Sequence, residues 1–565
     1  MFNNLIVFVA SYFLIIISIL GYGLFFLKIF KNKDDEPNFG YAGLVGIFII
    51  LIYSYLSNLF LPHSIFHNTI FILFGFLIFF TQIINYERFK KEILLTFVIF
   101  SLLFISLLIS KNHDDFTYYH FPYTYYLTQE SAAYGIGKFN YGFRTPSSIF
   151  YLNSLFYLPF IKYYSFNFSA VLFLGFANIL LLKKISPYFI SFKLKKINNY
   201  KINYINYLSL FSLIFINIFF YRIAEHGTDR SAQILVLIFV ITILESFDKK
   251  NLNQIDIFFI YILLGLILSL KAFFILYAIL IIPIIVNILK IKSFQEVIKL
   301  IFINKYFILL FIFTLLIMNT YFMNTGCLLY PVSFTCLDNL EWSLTSKEAI
   351  RMNNWYEAWS KAGASPTYRI ENLDIYIQKF NWLGNWIDNY FFNKVSDFIL
   401  GLILLNIIII YAFYNKKKNT LKINFSIVLL YILILVLFFE WFYNHPSLRY
   451  GGFCILALII FLPSCLYLNS FKINKEKYMR NTTILLIITL MIFYGRNINR
   501  LNKEIDQYKY KPINTTFYEV TKNDFRIKEI TDKIYKDYLK CKEKNQKCKP
   551  EKLKINKFKI YINSK

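Results

Sequence analysis

Acidic residues are scarce in this chain: 33 Asp and Glu in 565 residues, against 60 Lys and Arg. Charged residues make up only 16%, where a globular domain carries roughly 25%, and they are bunched between long uncharged runs. That distribution excludes a soluble enzyme. Six cysteines and six histidines leave little material for a metal site. Gly and Ala are outnumbered by Lys, Asn, Ile, Phe and Tyr, a bias expected of drifting nucleotide composition, so the net charge of +27 is not read as affinity for nucleic acid. What the chain has is apolar mass: 57% hydrophobic and 21% aromatic, which excludes a disordered chain. A membrane protein with basic cytoplasmic loops accounts for the charge.

Runs such as 5–30, 93–110 and 397–414 approach the ~20 residues that a helix needs to cross a bilayer. The first run has no basic leader or small-residue cleavage site, so a span is expected there, not a cleaved signal. Fourteen spans are predicted, near 5–29, 40–61, 68–86, 93–110, 165–182, 204–222, 231–247, 255–270, 272–290, 302–322, 396–414, 424–442, 452–469 and 482–495. The fold class is therefore all-α and polytopic. Alternate loops are basic (Lys28–Lys33, Arg88–Lys91, Lys183–Lys201, Lys249–Lys250, Lys290–Lys299, Lys416–Lys422 and Lys472–Arg480) and belong in the cytoplasm. The loops 62–67, 111–164, 223–230, 323–395 and 443–451 and the tail from Gly495 belong outside. Residues 147–162 are apolar, but counting them as a crossing inverts every later loop. They are expected to form a re-entrant or interfacial helix against the outer leaflet. Two units follow: a transmembrane domain, 1–495, and a small extracytoplasmic tail, 496–565, with amphipathic helical signs at 519–540.

Cys327 and Cys336 fall in one outer loop, and Cys541 and Cys548 in the outer tail. Two close pairs on the oxidising side read as two short disulfide loops, with free thiols as the alternative. The spacing does not suit zinc, and no metal is assigned.

Ionisable residues sit at span ends and not at the midplane, which counts against a transporter. The loop 111–164 opens with Lys111, Asn112, His113, Asp114, Asp115, Phe116, Thr117, Tyr118, Tyr119 and His120. Paired carboxylates directly after a span are held at the membrane surface. There they accept a proton from a hydroxyl nucleophile, bind a cation, or cap a following helix. Arg144, Thr145, Pro146 and the aromatic residues after them follow downstream. This arrangement resembles the catalytic loop of the GT-C superfamily of membrane glycosyltransferases. The chain differs from the common pattern in having four spans before the loop and Asp-Asp in place of Asp-Glu.

The resemblance implies a polyprenyl-phosphate-linked sugar donor presented from the bilayer, and a glycan or lipid acceptor whose hydroxyl loses its proton to Asp114 or Asp115. Some relatives use a divalent cation held by loop acids; His113 and His120, seven residues apart, would lie two turns from each other on a helix, so a metal is not favoured and no cofactor is expected. The departing phosphate needs cations. The polar turns that could supply or orient them carry Glu225, His226, Asp229 and Arg230, then Lys271, then His445 and Arg449. His113, Tyr118, Tyr119, His120 and Arg144 are the substrate-binding candidates of the acidic loop. Five of the six Trp lie in 323–395 and suit either sugar stacking or interfacial anchoring. The expected function is a glycosyltransferase of envelope glycan assembly in the inner membrane, working at its extracytoplasmic face. The rivals are a lipid-linked oligosaccharide flippase or exporter and a polysaccharide polymerase or ligase.

Overall fold

The computed structural model describes residues 2–30, 38–84, 86–109, 113, 115–185, 202–225, 227–249, 252, 254–364, 370, 372–416, 424–509, 552–555 and 558–561. Helix dominates them, as long apolar runs require: inside a bilayer each backbone N–H and C=O must be satisfied within its own segment. Eleven helices among the described residues are long and apolar enough to cross a membrane. Their outward faces carry large apolar side chains such as Phe66, Leu77, Leu400 and Phe439, a surface that lipid covers and water does not. The protein is an all-α, multi-pass membrane protein. Among the described residues, strand is limited to a small pairing of Ala133–Tyr134 with Phe558–Tyr561, which pairs in turn with Lys552–Ile555.

Each expected span falls on a helix, but three do not reach spanning length and apolarity. Tyr204–Phe219 and Ile255–Leu270 are apolar and shorter. Tyr86–Leu103 carries Lys90, Lys91 and Glu92 near its start and ends in the tighter coil Phe104–Leu107. The last helix runs the other way in length. Lys475–Tyr508 passes well beyond residue 495, and Arg500 on that extension donates to Ile105 O at 3.2 Å and pairs with Glu504 at 3.0 Å.

The two classes of loop separate to opposite ends of the bundle. At one end Lys183 pairs with Glu92 (2.5 Å), Tyr478 donates to Ile185 O (3.0 Å), and Lys290 donates to Asn424 (3.2 Å). These are the ends rich in Lys. At the other, Gly135 N–H donates to Met323 O (2.7 Å), Arg144 pairs with Glu348 (2.8 Å), and Trp386 donates to Pro446 O (2.8 Å). The pairing of loops expected from the charge pattern is thus the pairing that the contacts make.

The apolar stretch 147–162 does not cross. Ser148–Leu155 is an eight-residue helix, about 12 Å long at 1.5 Å per residue. Leu158 and Lys162 then bridge a tight turn in which Phe160 and Lys162 take positive φ. Every residue of the helix is buried. Ser54 donates to Tyr151 O (2.8 Å), and the His63 ring meets Ser154 Oγ at 2.7 Å. Protein therefore covers this helix, where contact with the outer leaflet was expected. The expected tail helix at 519–540 and the Cys541–Cys548 pair lie outside the described residues.

Candidate functional site

Asp115 stands at the start of a π-helical turn, Phe116–His120, that runs on into Phe121–Gln129. Its side chain does not cap that turn; instead the His113 carbonyl accepts the Phe116 N–H at 2.9 Å. The carboxylate is directed across the bundle end. Oδ2 accepts from Arg449 Nη2 at 2.9 Å and lies 3.5 Å from His113 Nδ1. His113 Nδ1 also lies 3.1 Å from the Asp115 backbone nitrogen.

Arg449 bridges two carboxylates. Its Nε donates to Asp229 Oδ2 at 2.8 Å, and Asp229 Oδ1 takes the Lys271 ammonium. Asp229 lies in the first turn of Gly227–Phe247, where the helix dipole favours a negative charge. Lys271 is extended (φ −160°, ψ 132°) between Leu270 and the coil Ala272–Ile281, and Ser147 Oγ holds the Leu270 carbonyl at 2.7 Å. Four chain-distant segments thus converge on one ionic cluster of two acids and two bases.

The segment bearing Arg449 is fixed from several sides. Trp441 Nε1 donates to Ser447 O (2.9 Å), Leu448 N–H donates to Tyr390 Oη (2.9 Å), and Gln233 Nε2 donates to Arg449 O (3.3 Å). Gly451 takes φ +104°, and a Cβ there would lie 2.6 Å from Tyr277 Oη. Aromatic faces flank the cations: Arg449 Cζ is 5.5 Å from the Trp359 ring, and Lys271 Nζ is 4.3 Å from the Tyr450 ring.

Burial by itself would raise the Asp115 carboxyl, but Arg449, His120 and His113 outweigh it and hold it below the usual carboxylate range. Burial lowers the His120 imidazole to about 4, against the pull of Asp115 and Asp229. Burial likewise raises Tyr450 to about 12. The cluster is open on one side: the Asp115 and Arg449 side chains are each 26% exposed, against 10% for Asp229. Among the described residues, Asp115 Oδ1 and Arg449 Nη1 meet no hydrogen-bond partner, and Lys271 Nζ bonds only Asp229. His120 Nε2 is buried and also lacks a partner.

Of the residues singled out by sequence, the structure thus brings together His113, Asp115, His120, Asp229, Lys271 and Arg449. Tyr119 borders them, its hydroxyl pushed well above the usual phenol range by burial and by the nearby Asp115 carboxylate. His445 lies at the edge, its ring 5.9 Å from Tyr450. Tyr118 is exposed beside Tyr119. Arg144 does not join the cluster: it donates to Gly137 O (2.8 Å) and pairs with Glu348, tying two loops together. Glu225 is spent on Arg222. Arg230 points away from Asp229, donating to Arg222 O at 3.3 Å, because residues adjacent on a helix face different ways. Asp114 and His226 lie outside the described residues. Cys327 and Cys336 are disulfide-bonded, and Cys454 and Cys465 are buried free thiols.

Trp359, Tyr450 and Gln233 also border the site. Trp359 is one of the five loop tryptophans read as suited to sugar stacking or anchoring; Tyr450 and Gln233 were not singled out, and the position of Tyr450 directly after Arg449 was the available signal. Three of the loop tryptophans, Trp342, Trp382 and Trp386, donate to backbone carbonyls and are structural. Trp355, 47% exposed, stacks on Trp359 at 6.5 Å. Among the described residues no three His, Cys, Asp or Glu side chains gather as a metal-ligand set.

No curated protein and no solved structure matches this chain. One family model does, over residues 5–456, a stretch that includes all four members of the ionic cluster. The chain belongs to the family described as Domain of unknown function (DUF8201).

Proposed function

We propose that the protein is a membrane glycosyltransferase that moves a sugar from a polyprenyl-phosphate-linked donor to a hydroxyl of an envelope glycan or glycolipid. The observation that carries this reading is Asp115: one carboxylate oxygen is fixed by Arg449, and the other meets no partner among the described residues. Beside it stand unspent N–H donors on Arg449 and Lys271. In the reaction the acceptor hydroxyl hydrogen-bonds to Asp115 Oδ1 and its oxygen attacks the anomeric carbon. The bond from that carbon to the phosphate oxygen breaks with inversion, and the electron pair leaves on the phosphate. Arg449 and Lys271 receive the phosphate oxygens by charge-assisted hydrogen bonds. A carboxylate held ionised by cations is a weak base, so it takes the proton late, once the attacking hydroxyl has been acidified by bond formation.

Counting the three shorter helices gives fourteen crossings, with the Lys-rich ends in the cytoplasm and the Asp115 end outside. That orientation supports a reaction at the extracytoplasmic face of the inner membrane, where a lipid donor meets envelope acceptors. The test is complementation of a deletion strain with Asp115→Asn, matched for membrane level, with surface glycans read by mass spectrometry. Loss of one sugar from the profile is expected. A full profile from Asp115→Asn overturns the transferase reading and favours a lipid-linked oligosaccharide exporter.

A further inference from the structure

The helix Ser346–Lys361 is not one of the spans: it falls short of the apolarity needed to cross a membrane, and its exposed residues are Lys347, Ile350, Arg351 and Trp355. Both of its ends are held. Glu348, in the first turn, pairs with Arg144 of the acidic loop at 2.8 Å. Lys361, in the last turn, is fully buried; it pairs with Glu357 at 2.5 Å, donates to Ile377 O at 2.8 Å and stands 5.2 Å over the Trp382 ring. On this fixed helix Trp355 and Trp359 are four residues apart and so share a face, their rings stacked with 24° between the planes. Trp359 is the inner ring of the pair, 5.5 Å from Arg449 Cζ and 6.1 Å from the Tyr450 ring. Trp355 is the outer one, a turn farther from the ionic cluster and 47% exposed.

We propose that Trp359 and Trp355 form an acceptor platform, and that the acceptor is a saccharide chain of at least two units, its terminal sugar on Trp359 and the preceding one on Trp355. The inference rests on the transferase reading of the cluster and names its substrate class. Position selects the acceptor. Arg449 meets Asp115 at 2.9 Å and borders Trp359, so a sugar on Trp359 has its hydroxyl beside the carboxylate. A donor sugar is bonded directly to the phosphate that Arg449 and Lys271 hold, so the ring one turn beyond Trp359 serves a second unit of the acceptor. Chemistry selects a saccharide. A sugar ring has C–H groups on its face and hydroxyls round its edge, and an indole with an unspent N–H is the complement, an apolar face and a donor. Trp342, Trp382 and Trp386 spend that donor on backbone carbonyls, whereas Trp355 and Trp359 have no such partner among the described residues. Anchoring in the headgroup layer does not account for Trp359, whose ring packs against Arg449 and Tyr450.

The probe is the surface glycan of the deletion strain, cut from its lipid by mild acid and titrated calorimetrically into purified full-length protein. The wild type should bind this glycan without its lipid. Trp355→Ala should weaken binding about fivefold, the order of one aromatic face contact, with the melting temperature unchanged. Trp355→Phe keeps a ring and should stay within about twofold of the wild type. A lipid-free glycan that does not bind, or that binds Trp355→Ala as tightly as the wild type, overturns the platform. If that result comes with a sugar missing from the Asp115→Asn strain, the transferase reading stands without the platform. A complete glycan from the Asp115→Asn strain overturns the acceptor assignment together with the transferase reading, whatever Trp355→Ala binds.

Discussion

Asp229 holds two cations at once and is nearly buried, whereas Asp115 holds one and is open on its other oxygen. The two acids should therefore respond differently to neutralisation. Asp229→Asn leaves Lys271 and Arg449 short of a counter-charge and should cost about 3 kcal/mol of stability, the order for breaking a largely buried pair. Asp115→Asn should cost less than about 1 kcal/mol, as expected of a partly solvated pair, while removing activity. Thermal unfolding of the two variants in detergent separates these outcomes. Histidine sets a second expectation. Burial lowers His63 to about 3, with His67 adding to the effect, and lowers His120 and His445 to about 4. Each binds a proton more readily unfolded, near pH 6.5, than folded. Stability is thus fully present above pH 6.5 and falls as pH drops toward 4, by up to a few kcal/mol for fully buried His63. A melting temperature that stays flat from pH 7 to pH 5 would contradict this. Residue type and loop position pointed to Asp115, Lys271 and Arg449 from sequence alone. They could not separate Arg230 from its neighbour Asp229, because side-chain direction depends on how the helix is rotated in the bundle.

Helices in this protein meet through small residues as much as through large ones. Gly75 on Ile65–Gln82 faces Leu5–Ile29 so closely that a Cβ would lie 2.2 Å from Ser18 Oγ, and one on Gly21 would lie 2.0 Å from Gly75 O. Close backbone approach of this kind is how apolar helices gain packing in lipid, where no hydrophobic drive remains between them. Gly75→Leu should destabilise by at least the about 1–3 kcal/mol typical of overpacking. Gly495→Ala, in a helix with nothing within 4 Å of its Cβ position, should instead stabilise by about 0.5–1 kcal/mol through helix propensity. The same detergent unfolding assay reads both. Gly451 differs again, since its φ of +104° disfavours any side chain. Gly451→Ala should shift Arg449 and lower activity more than it lowers stability, measured as product formed per folded protein. The helices themselves were legible, since a bilayer imposes length and apolarity on each one separately. The short buried helix Ser148–Leu155 was legible only as a non-crossing segment, because apolar sequence does not tell protein contact from lipid contact.

Across the whole molecule, the loops separate into a Lys-rich end and an end with the ionic cluster. Single cysteines introduced at exposed Asn389, near the cluster, and at exposed Lys472, at the other end, should differ in labelling by an impermeant maleimide in intact spheroplasts, with only the first reacting. Equal labelling would contradict the orientation. A multi-pass helical membrane protein, and which of its loops share an end, could be read from residue order alone, because apolar run length and alternating charge are local properties that the bilayer reads one segment at a time. That Asp115, Asp229, Lys271 and Arg449 form one cluster while Arg144 and Arg230 serve the scaffold emerges from packing. Ion pairs form between residues up to 334 positions apart, and their geometry depends on how all the helices pack together.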